Sequence, residues 1–293
     1  AALAPAATVV VVPLAVLVER SLAVGDGYGL DHYRALGEES GSGLTVPASE
    51  AVLNSLRYGM VAAVVAVVVG GLASVVVVHA GRRGRLLDAA LMVPLGTSAV
   101  TLGFGILIAL DQPPLDLRTS RAIVPLAQAL VGIPFVMRSM VPGLRAVDPH
   151  QRDAAAVLGA SPRRVRLEVD APVVGRALLV GAAFAFAVSL GEFGATSFLA
   201  RPDAPTVPVA MYRLLGRPGE VLRRQAMARG TVLAVLTAAG VLVVVGVVLL
   251  TVGKADPLEP EPIARGLTGD DADLGSPEKV AALRFPVVLR GYR

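Results

Sequence analysis

The stretch Leu53-Asn-Ser-Leu-Arg-Tyr-Gly-Met-Val-Ala-Ala-Val-Val-Ala-Val-Val-Val-Gly-Gly-Leu-Ala-Ser-Val-Val-Val-Val78 decides the class of fold. It consists mostly of valine and alanine. The hydrocarbon core of a bilayer is about 30 Å thick and takes about 20 apolar residues per helical span. Residues 53–78 are therefore predicted to be a membrane-spanning helix, and Gly70-Gly71 allows another helix to approach it closely.

The composition of the whole chain agrees with a lipid environment. Of 293 residues, 54% are hydrophobic and 17% are charged, and the mean hydropathy is +0.67. These values are not those of a water-soluble domain. The net charge of +4 comes almost entirely from arginine, which in a membrane protein indicates loops near lipid headgroups and no nucleic-acid partner. The absence of cysteine excludes disulfides, thiolate metal sites and cysteine nucleophiles.

Five further apolar runs have the length and composition of spans, namely 3–18, 86–110, 122–141, 177–200 and 230–252. Lipid admits only helices or closed barrels, and barrel strands would be alternating ten-residue segments. The predicted fold is therefore all-α, a polytopic membrane bundle of about six transmembrane helices. It occupies residues 1–253, and a Pro-rich, acidic tail, 254–293, is predicted to be disordered.

The third run, 86–110, has an unusual composition. Small, polar and helix-bending residues crowd into twelve positions: Pro94, Gly96, Thr97, Ser98, Thr101, Gly103 and Gly105. This composition favours a helix that packs inside the bundle or lines a path over one that faces lipid. Thr97, Ser98 and Thr101 are therefore candidate residues of a translocation path, with close helix packing alone as the alternative.

Arginine counting does not orient the chain. Six spans place the loops 79–88 and 143–176 on one side together with both termini, and these two loops carry nine arginines. The loops on the other side carry about ten. The positive-inside rule therefore does not distinguish the two orientations.

The long polar loop 143–176 contains a spaced pattern. It reads Asp153-Ala154-Ala155, three residues, Gly159, nine residues, and then Val169-Asp170-Ala171-Pro172. Asp148 can cap a first short helix that Gly159 ends, and Ser161-Pro162 can start a second. Two short helices that meet at a glycine form a knob that another protein can bind in a groove. The alternative is an amphipathic segment that lies on lipid.

This pattern resembles the Glu-Ala-Ala loop of binding-protein-dependent ABC transporter permeases with a MetI-like transmembrane domain, as found in type I importers. The spacing fits completely. Asp153 stands where the family has glutamate, Val169 where it has isoleucine, and Ala171 where it has leucine. The resemblance implies that the loop is cytoplasmic, together with the tail 254–293 on the same side. It also implies that the loop docks into an ATPase, through Asp153, Ala154, Ala155, Gly159, Val169 and Pro172.

Two later segments extend the resemblance. Residues 189–196 and 206–212 are similar to segments of permeases for ferric iron, thiamine, molybdate and sulfate, and the ferric iron branch looks closest. The resemblance implies a multi-pass protein of the bacterial inner membrane, with ferric iron as the expected substrate. It also implies three partners: a cytoplasmic ATPase dimer, an extracytoplasmic substrate-binding protein, and a second permease half. This chain would be the C-terminal half of a fused permease, or a subunit that forms homodimers.

Glu192 is the one carboxylate well inside a predicted span, where a buried charge needs a reason. It either lines the translocation path or holds a helix bend at Gly191 and Gly194, by bonding Thr196 or pairing with Arg201.

No nucleotide-binding loop or zinc-protease motif is present in the sequence. The chain is therefore predicted to be no enzyme and to hold no cofactor or metal, with ATP bound by a partner.

An ATP-independent secondary transporter is the rival from another functional class. Such a protein would carry several ionisable residues along a relay inside the membrane, and Glu192 alone is a poor relay. The substrate stays open on sequence grounds, because thiamine, molybdate and sulfate permeases share the same segments.

Overall fold

The computed structural model describes residues 3–25, 27–37, 46–113, 116–147 and 149–252. The chain divides into two units, Ala1–Thr251 and Val252–Arg293, and the architecture that follows is that of the first. The predicted disordered tail, 254–293, lies outside the described residues.

Within its described residues, the first unit consists of helices, the turns that join them and one small hairpin. Its helices are α1 (Leu3–Leu22), α2 (Asp31–Arg34), α3 (Ala48–His79), α4 (Gly81–Gly96), α5 (Ala99–Ala109), α6 (Ile123–Ala146), α7 (Pro149–Val157), α8 (Pro162–Val165), α9 (Ala171–Gly191), α10 (Thr196–Leu199), α11 (Val207–Leu215) and α12 (Glu220–Val252). A 3-10 turn, Ala35–Gly37, follows α2, and a π-helical turn, Arg166–Asp170, joins α8 to α9. The strands β1 (Ala23–Val24) and β2 (Gly27–Tyr28) pair antiparallel.

Helix α3 is patterned for a membrane. Its small and polar residues are buried in the bundle, among them Gly59, Ala62, Ala66, Gly70 and Ser74. Its large apolar residues point outward, among them Met60, Val61, Val64, Val68 and Leu72. Because lipid tails are as apolar as leucine, helices in a bilayer associate through small residues that permit close packing. The outer face of α3 therefore suits lipid.

The core of the bundle is the three-helix contact of α3, α6 and α9, where glycines allow the backbones to approach closely. A Cβ added at Gly70 of α3 would lie 3.0 Å from the Cβ of Val136 in α6. A Cβ added at Gly181 of α9 would lie 2.9 Å from the Cα of the same valine. Gly132 of α6 faces Ala66 and Ala185 in the same way. The central helices therefore touch almost backbone to backbone.

Four of the helices described are long and apolar enough to cross a membrane: Ala48–His79, Ile123–Ala146, Glu220–Leu242 and the continuous helix Pro162–Gly191. The pair α4 and α5 also qualifies if it counts as one broken span. These five correspond to the second to sixth predicted spans and confirm an all-α membrane bundle. The first predicted span, 3–18, lies within α1, which is not in this group, so a sixth span stays a prediction.

The third predicted span is not one helix. Helices α4 and α5 meet at an angle of 107°, because Thr97 and Ser98 have extended backbone between them. Pro94 favours this break, because it has no backbone N–H to donate a hydrogen bond inside α4. The hydroxyl of Thr97 donates to the carbonyl of Val93 at 2.9 Å and satisfies one of the acceptors that the break leaves free.

Three other predicted boundaries were wrong. The basic segment 79–88 is mostly the beginning of α4, and the turn itself is confined to Ala80 and Gly81, which has a φ of +55°. The fifth span ends at Gly191, not at residue 200. The polar connection 201–229 contains α11 and the first turns of α12. In the first and third cases helices extend into segments whose polar residues suggested loops, whereas the fifth span ends before its apolar run does.

Candidate functional site

Residues 149–172, which we call the knob, form a helical corner between α6 and α9. Helix α7 ends before Gly159, whose φ of +84° turns the chain through the left-handed region. Ser161 then caps α8, because its Oγ accepts from the backbone N–H of Arg164 at 3.4 Å. Arg152 of α7 donates through Nε to Oδ1 of Asp170 at 2.8 Å. This ion pair fastens the two arms of the corner together.

The second arm differs from the sequence prediction. It is not a separate short helix, because α8, the π-helical turn and α9 form one continuous helix, Pro162–Gly191. The loop is also shorter than the predicted 143–176, since α6 runs to Ala146. Asp148, the predicted cap of the first helix, lies outside the described residues. The knob is therefore rigidly continuous with a membrane span.

The predicted coupling residues are all in the knob and are mostly accessible. Asp153, Ala154, Gly159 and Pro172 are exposed or nearly so, and Ala155 and Val169 are half-buried. Sequence reasoning missed the residues at its tip: Val157 is 87% and Leu158 is 78% exposed. Leu167 on the second arm is 60% exposed. Clustered exposed apolar side chains rimmed by charge are typical of a protein-binding surface.

Two arginines of the second arm are hydrogen-bonded to groups of the same helix. Arg164 donates through Nε to Glu168 at 2.8 Å, one turn later. Arg166 donates through Nε to the carbonyl of Pro162 at 3.2 Å. These contacts are exposed and individually weak. They leave the apolar tip as the distinctive feature of the knob.

Glu192 lies at the opposite end of α9, past the last helical residue, and it is 7% exposed. Its Oε1 accepts from the backbone N–H of Ala195 at 2.7 Å. Its Oε2 accepts from the backbone N–H of Thr196 at 2.9 Å and also from the hydroxyl of Thr196. The carboxylate therefore caps α10, where backbone donors compensate its burial. The predicted bond to Thr196 is present, whereas Arg201 pairs with Asp203 at 3.0 Å.

The break after α9 packs against the break between α4 and α5. A Cβ added at Gly103 would lie 2.5 Å from the Cα of Ala195. A Cβ added at Gly194 would lie 2.7 Å from the Cβ of Ala99. Only glycine fits at either position, so α5 packs directly against the segment that follows α9.

The other candidate path residues lie on the outside of this contact. Ser98 and Thr101 are exposed and Thr97 is half-buried. The carboxylate of Glu192 is occupied by α10, so the structure does not bring these four residues into one polar site. In a membrane chain, exposed hydroxyls beside a helix break fit a water-filled path or a partner better than lipid.

Buried polar side chains join α11 to the rest of the bundle, and no sequence pattern indicated them. Ser55 of α3 accepts the backbone N–H of Val207 at 2.8 Å, and Asn54 donates to the carbonyl of Pro205 at 3.4 Å. His32 is also buried, with Nε2 2.9 Å from the carbonyl oxygen of Ala23. Within the ranges described, no cluster of three His, Cys, Asp or Glu residues could hold a metal.

Comparison with known proteins decides the family. No protein-family model matches the chain. A protein of Salmonella typhimurium named as a putative 2-aminoethylphosphonate transport system permease, PhnU, is 30% identical over 220 residues, which cover 68% of this chain and 74% of that protein. The chain belongs to the MetI-like permeases of ABC transporters. This permease is also 32% identical to the molybdenum transport system permease ModB of Escherichia coli over 191 residues, 60% of the chain and 83% of ModB.

Family membership bears on several expectations. The permease is a transport subunit of the bacterial inner membrane. Permeases of this family work in general with an ATPase and a substrate-binding protein. A second Salmonella typhimurium protein named for 2-aminoethylphosphonate transport, PhnV, is 28% identical over 212 residues, 70% of this chain and 77% of PhnV. None of the three relatives is named for iron or thiamine, so that branch is not confirmed, and neither is the prediction of a C-terminal half.

Proposed function

We propose that this permease forms the translocation path of an ABC importer and is driven by a separate cytoplasmic ATPase that binds the knob. The exposed apolar tip, Val157 and Leu158, carries the proposal. It stands at the end of a corner that the Arg152–Asp170 pair holds rigid, and the second arm continues into α9. Movement of the ATPase would therefore be transmitted along α9 into the bundle.

The proposal orients the chain. With the knob in the cytoplasm, α9 crosses the membrane and ends at Gly191 near the extracytoplasmic side. The paired breaks and α11 then lie toward the side from which a binding protein delivers cargo. Thr97, Ser98 and Thr101 would line the path, opposite a second permease copy or half. Glu192 supports the wall of that path by capping α10.

For the cargo, we favour an oxyanion. The relatives are named for 2-aminoethylphosphonate and for molybdenum, and a phosphonate and molybdate are both tetrahedral oxyanions. Ferric iron, the substrate expected from sequence, has no support among these relatives. The ATP-independent alternative has none either, since all three are transport system permeases.

The decisive test of coupling uses the full chain in proteoliposomes with the ATPase and binding protein of its own transport system. Retention of the ATPase on the tagged permease and ATP-dependent uptake are measured together. Leu158→Glu should lose both while leaving the bundle intact, because the side chain is 78% exposed. A wild-type chain that retains no ATPase, or that transports without ATP, would overturn the proposal.

The cargo is tested in the same preparation. Uptake of labelled molybdate, 2-aminoethylphosphonate and ferric ion is compared, each with the binding protein saturated. We expect ATP-dependent uptake of one of the two oxyanions. Uptake of ferric ion alone would contradict the oxyanion proposal and leave the coupling proposal standing.

A further inference from the structure

Arg229, in the first third of α12, is enclosed by protein although it carries a full charge. The residue is only 2% exposed. Its Nε and Nη1 atoms are buried without a hydrogen-bond partner, and none of the ion pairs among the described residues includes it. A guanidinium is not deprotonated in proteins. A positive charge is therefore left uncompensated inside the bundle.

The face of α12 that carries Arg229 packs against other helices. Leu233, one turn later on the same face, packs against the buried cluster that α3 and α11 form around Val207. At the neighbouring Gly230, an added Cβ would lie 2.9 Å from Cε of Met211 in α11. Arg229 therefore lies in an interface between helices and does not extend to the lipid headgroups, as arginines near the ends of spans do.

Two further polar groups in this part of the bundle also lack partners. Oε1 of Gln225, one turn before Arg229, is buried and unbonded, and so is Oγ1 of Thr206. Thr206 directly precedes α11, yet its hydroxyl does not cap that helix. Buried polar atoms are nearly always hydrogen-bonded, and each exception needs an explanation. A ligand with several acceptor oxygens would satisfy the guanidinium, and a hydroxyl or a rotated amide can donate to it as well.

The charge of Arg229 decides what kind of ligand compensates it. A buried charge without a partner is strongly destabilising. Ionisable residues inside membrane proteins pair with one another or mark the sites and pathways of substrates and ions. Among the described residues no carboxylate pairs with Arg229, so a bound anion is the partner that fits. The planar fork of N–H groups on a guanidinium matches two oxygens of a phosphate-like group.

We propose that Arg229 binds a tetrahedral oxyanion near the extracytoplasmic end of α12, in a site that α3 and α11 border. The inference rests on the proposed function and deepens it, because a cytoplasmic knob places the start of α12 on the side from which cargo arrives. Arg229 lies nine residues after Glu220, which is about 14 Å along the helix. The oxyanion is either the phosphonate or molybdate of the cargo or the phosphate of an anionic lipid headgroup, and the experiment separates these two sources.

Thermal unfolding of the full chain in nanodiscs tests this site. In one arm the lipid is phosphatidylcholine alone, and molybdate or 2-aminoethylphosphonate is added. In the other arm no oxyanion is added, and phosphatidylglycerol replaces part of the lipid. A ligand that binds only the folded chain raises the Tm, and we expect a rise of about 2 °C or more in one of the arms. Arg229→Met should lose that rise. Without an oxyanion the variant should be at least as stable as wild type, because the uncompensated charge is gone.

Two further variants sharpen the result. Arg229→Lys keeps the charge but loses the planar fork, so it should need a severalfold higher oxyanion concentration for the same rise. Arg223→Met is the matched control, since it removes an exposed arginine from the same helix, and it should respond like wild type.

The outcomes separate the ligand, the site and the proposed function. A response to molybdate or 2-aminoethylphosphonate assigns the site to the cargo, and a response to phosphatidylglycerol alone assigns it to a lipid. No response in either arm, or an equal response in Arg229→Met, would overturn the inference. ATPase retention on the same tagged chain is measured separately, so failure of the proposed function is seen apart from failure of the anion site.

Discussion

Arg152 and Asp170 are joined by an ion pair of 2.8 Å between the Nε and Oδ1 atoms, across the corner of the knob. The two residues lie on either side of Gly159 and belong to different helical arms. Asp170 also precedes the first residue of α9. The pair therefore sets the angle at which the apolar tip is held relative to a membrane span.

Removing this pair should weaken coupling without preventing folding. We expect Arg152→Gln and Asp170→Asn each to lower ATP-dependent uptake severalfold, since the arms would change angle while the tip stays intact. A double-mutant cycle on ATPase affinity should give an interaction energy of roughly 0.5–1 kcal/mol, as for a partly exposed pair. Fully additive losses would show that the pair does not set the angle. The exposed Arg164–Glu168 pair on the second arm provides a matched control.

The effect of replacing Gly159 should depend only on how readily the new residue adopts a positive φ. Its φ is +84° and no atom lies within 4 Å of an added Cβ, so space is not the constraint. Gly159→Asn should therefore be mild, and Gly159→Val should cost about 1–2 kcal/mol of local strain. ATPase retention should fall in the order Gly, Asn, Val. Equal retention in the Asn and Val variants would contradict the prediction.

A charge introduced at the apolar tip tests whether the tip binds the ATPase. Val157→Glu should abolish ATP-dependent uptake. Docking of the ATPase would remove water from the carboxylate without giving it a partner. Val221→Glu makes the same change at a 60% exposed valine in the first turn of α12, outside the knob. That control should retain the ATPase. If both variants behave alike, the tip has no special role.

The spans could be predicted from sequence because length and hydropathy are strong signals in lipid. The knob could be predicted because its turn residues, Gly159 and Ser161, act locally. The break at Thr97 and Ser98 was signalled only as an excess of small and polar residues. Whether such residues bend a helix or merely pack it depends on Ala195 and Gly194, which lie almost a hundred positions later in the chain.

The environment of Glu192 also could not be predicted from the sequence. Its position inside an apolar run suggested a charge in a span, but the structure ends α9 one residue earlier. The donors that compensate the carboxylate are backbone groups of α10, which exist only because the helix breaks there. Likewise, Ser55 and Val207 are 152 positions apart, and no local pattern predicts their bond.

The contribution of Asp203 to the stability of the fold should be lost only at low pH. The guanidiniums of Arg201 and Arg121 hold the pKa of Asp203 below its ordinary value of 3.8. A carboxyl with a lowered pKa stabilises the fold above its unfolded pKa and loses that effect as the pH falls through the folded value. The difference in Tm between wild type and Asp203→Asn should therefore be constant from about pH 5 to 8 and shrink below about pH 4. A difference that persists unchanged at about pH 2 would contradict this assignment.

Gly181 gives the sharpest test of the central packing. An alanine there would place its Cβ 2.9 Å from the Cα of Val136, so α9 would have to move away from α6. Overpacking of this kind costs typically about 1–3 kcal/mol. Gly175→Ala is the matched control, because it lies in the same continuous helix with no atom within 4 Å of the added Cβ. There the better helix propensity of alanine should stabilise by up to about 1 kcal/mol. Thermal unfolding in detergent should therefore move in opposite directions for the two variants, and a Gly181→Ala chain as stable as Gly175→Ala would mean that α6 and α9 do not touch backbone to backbone.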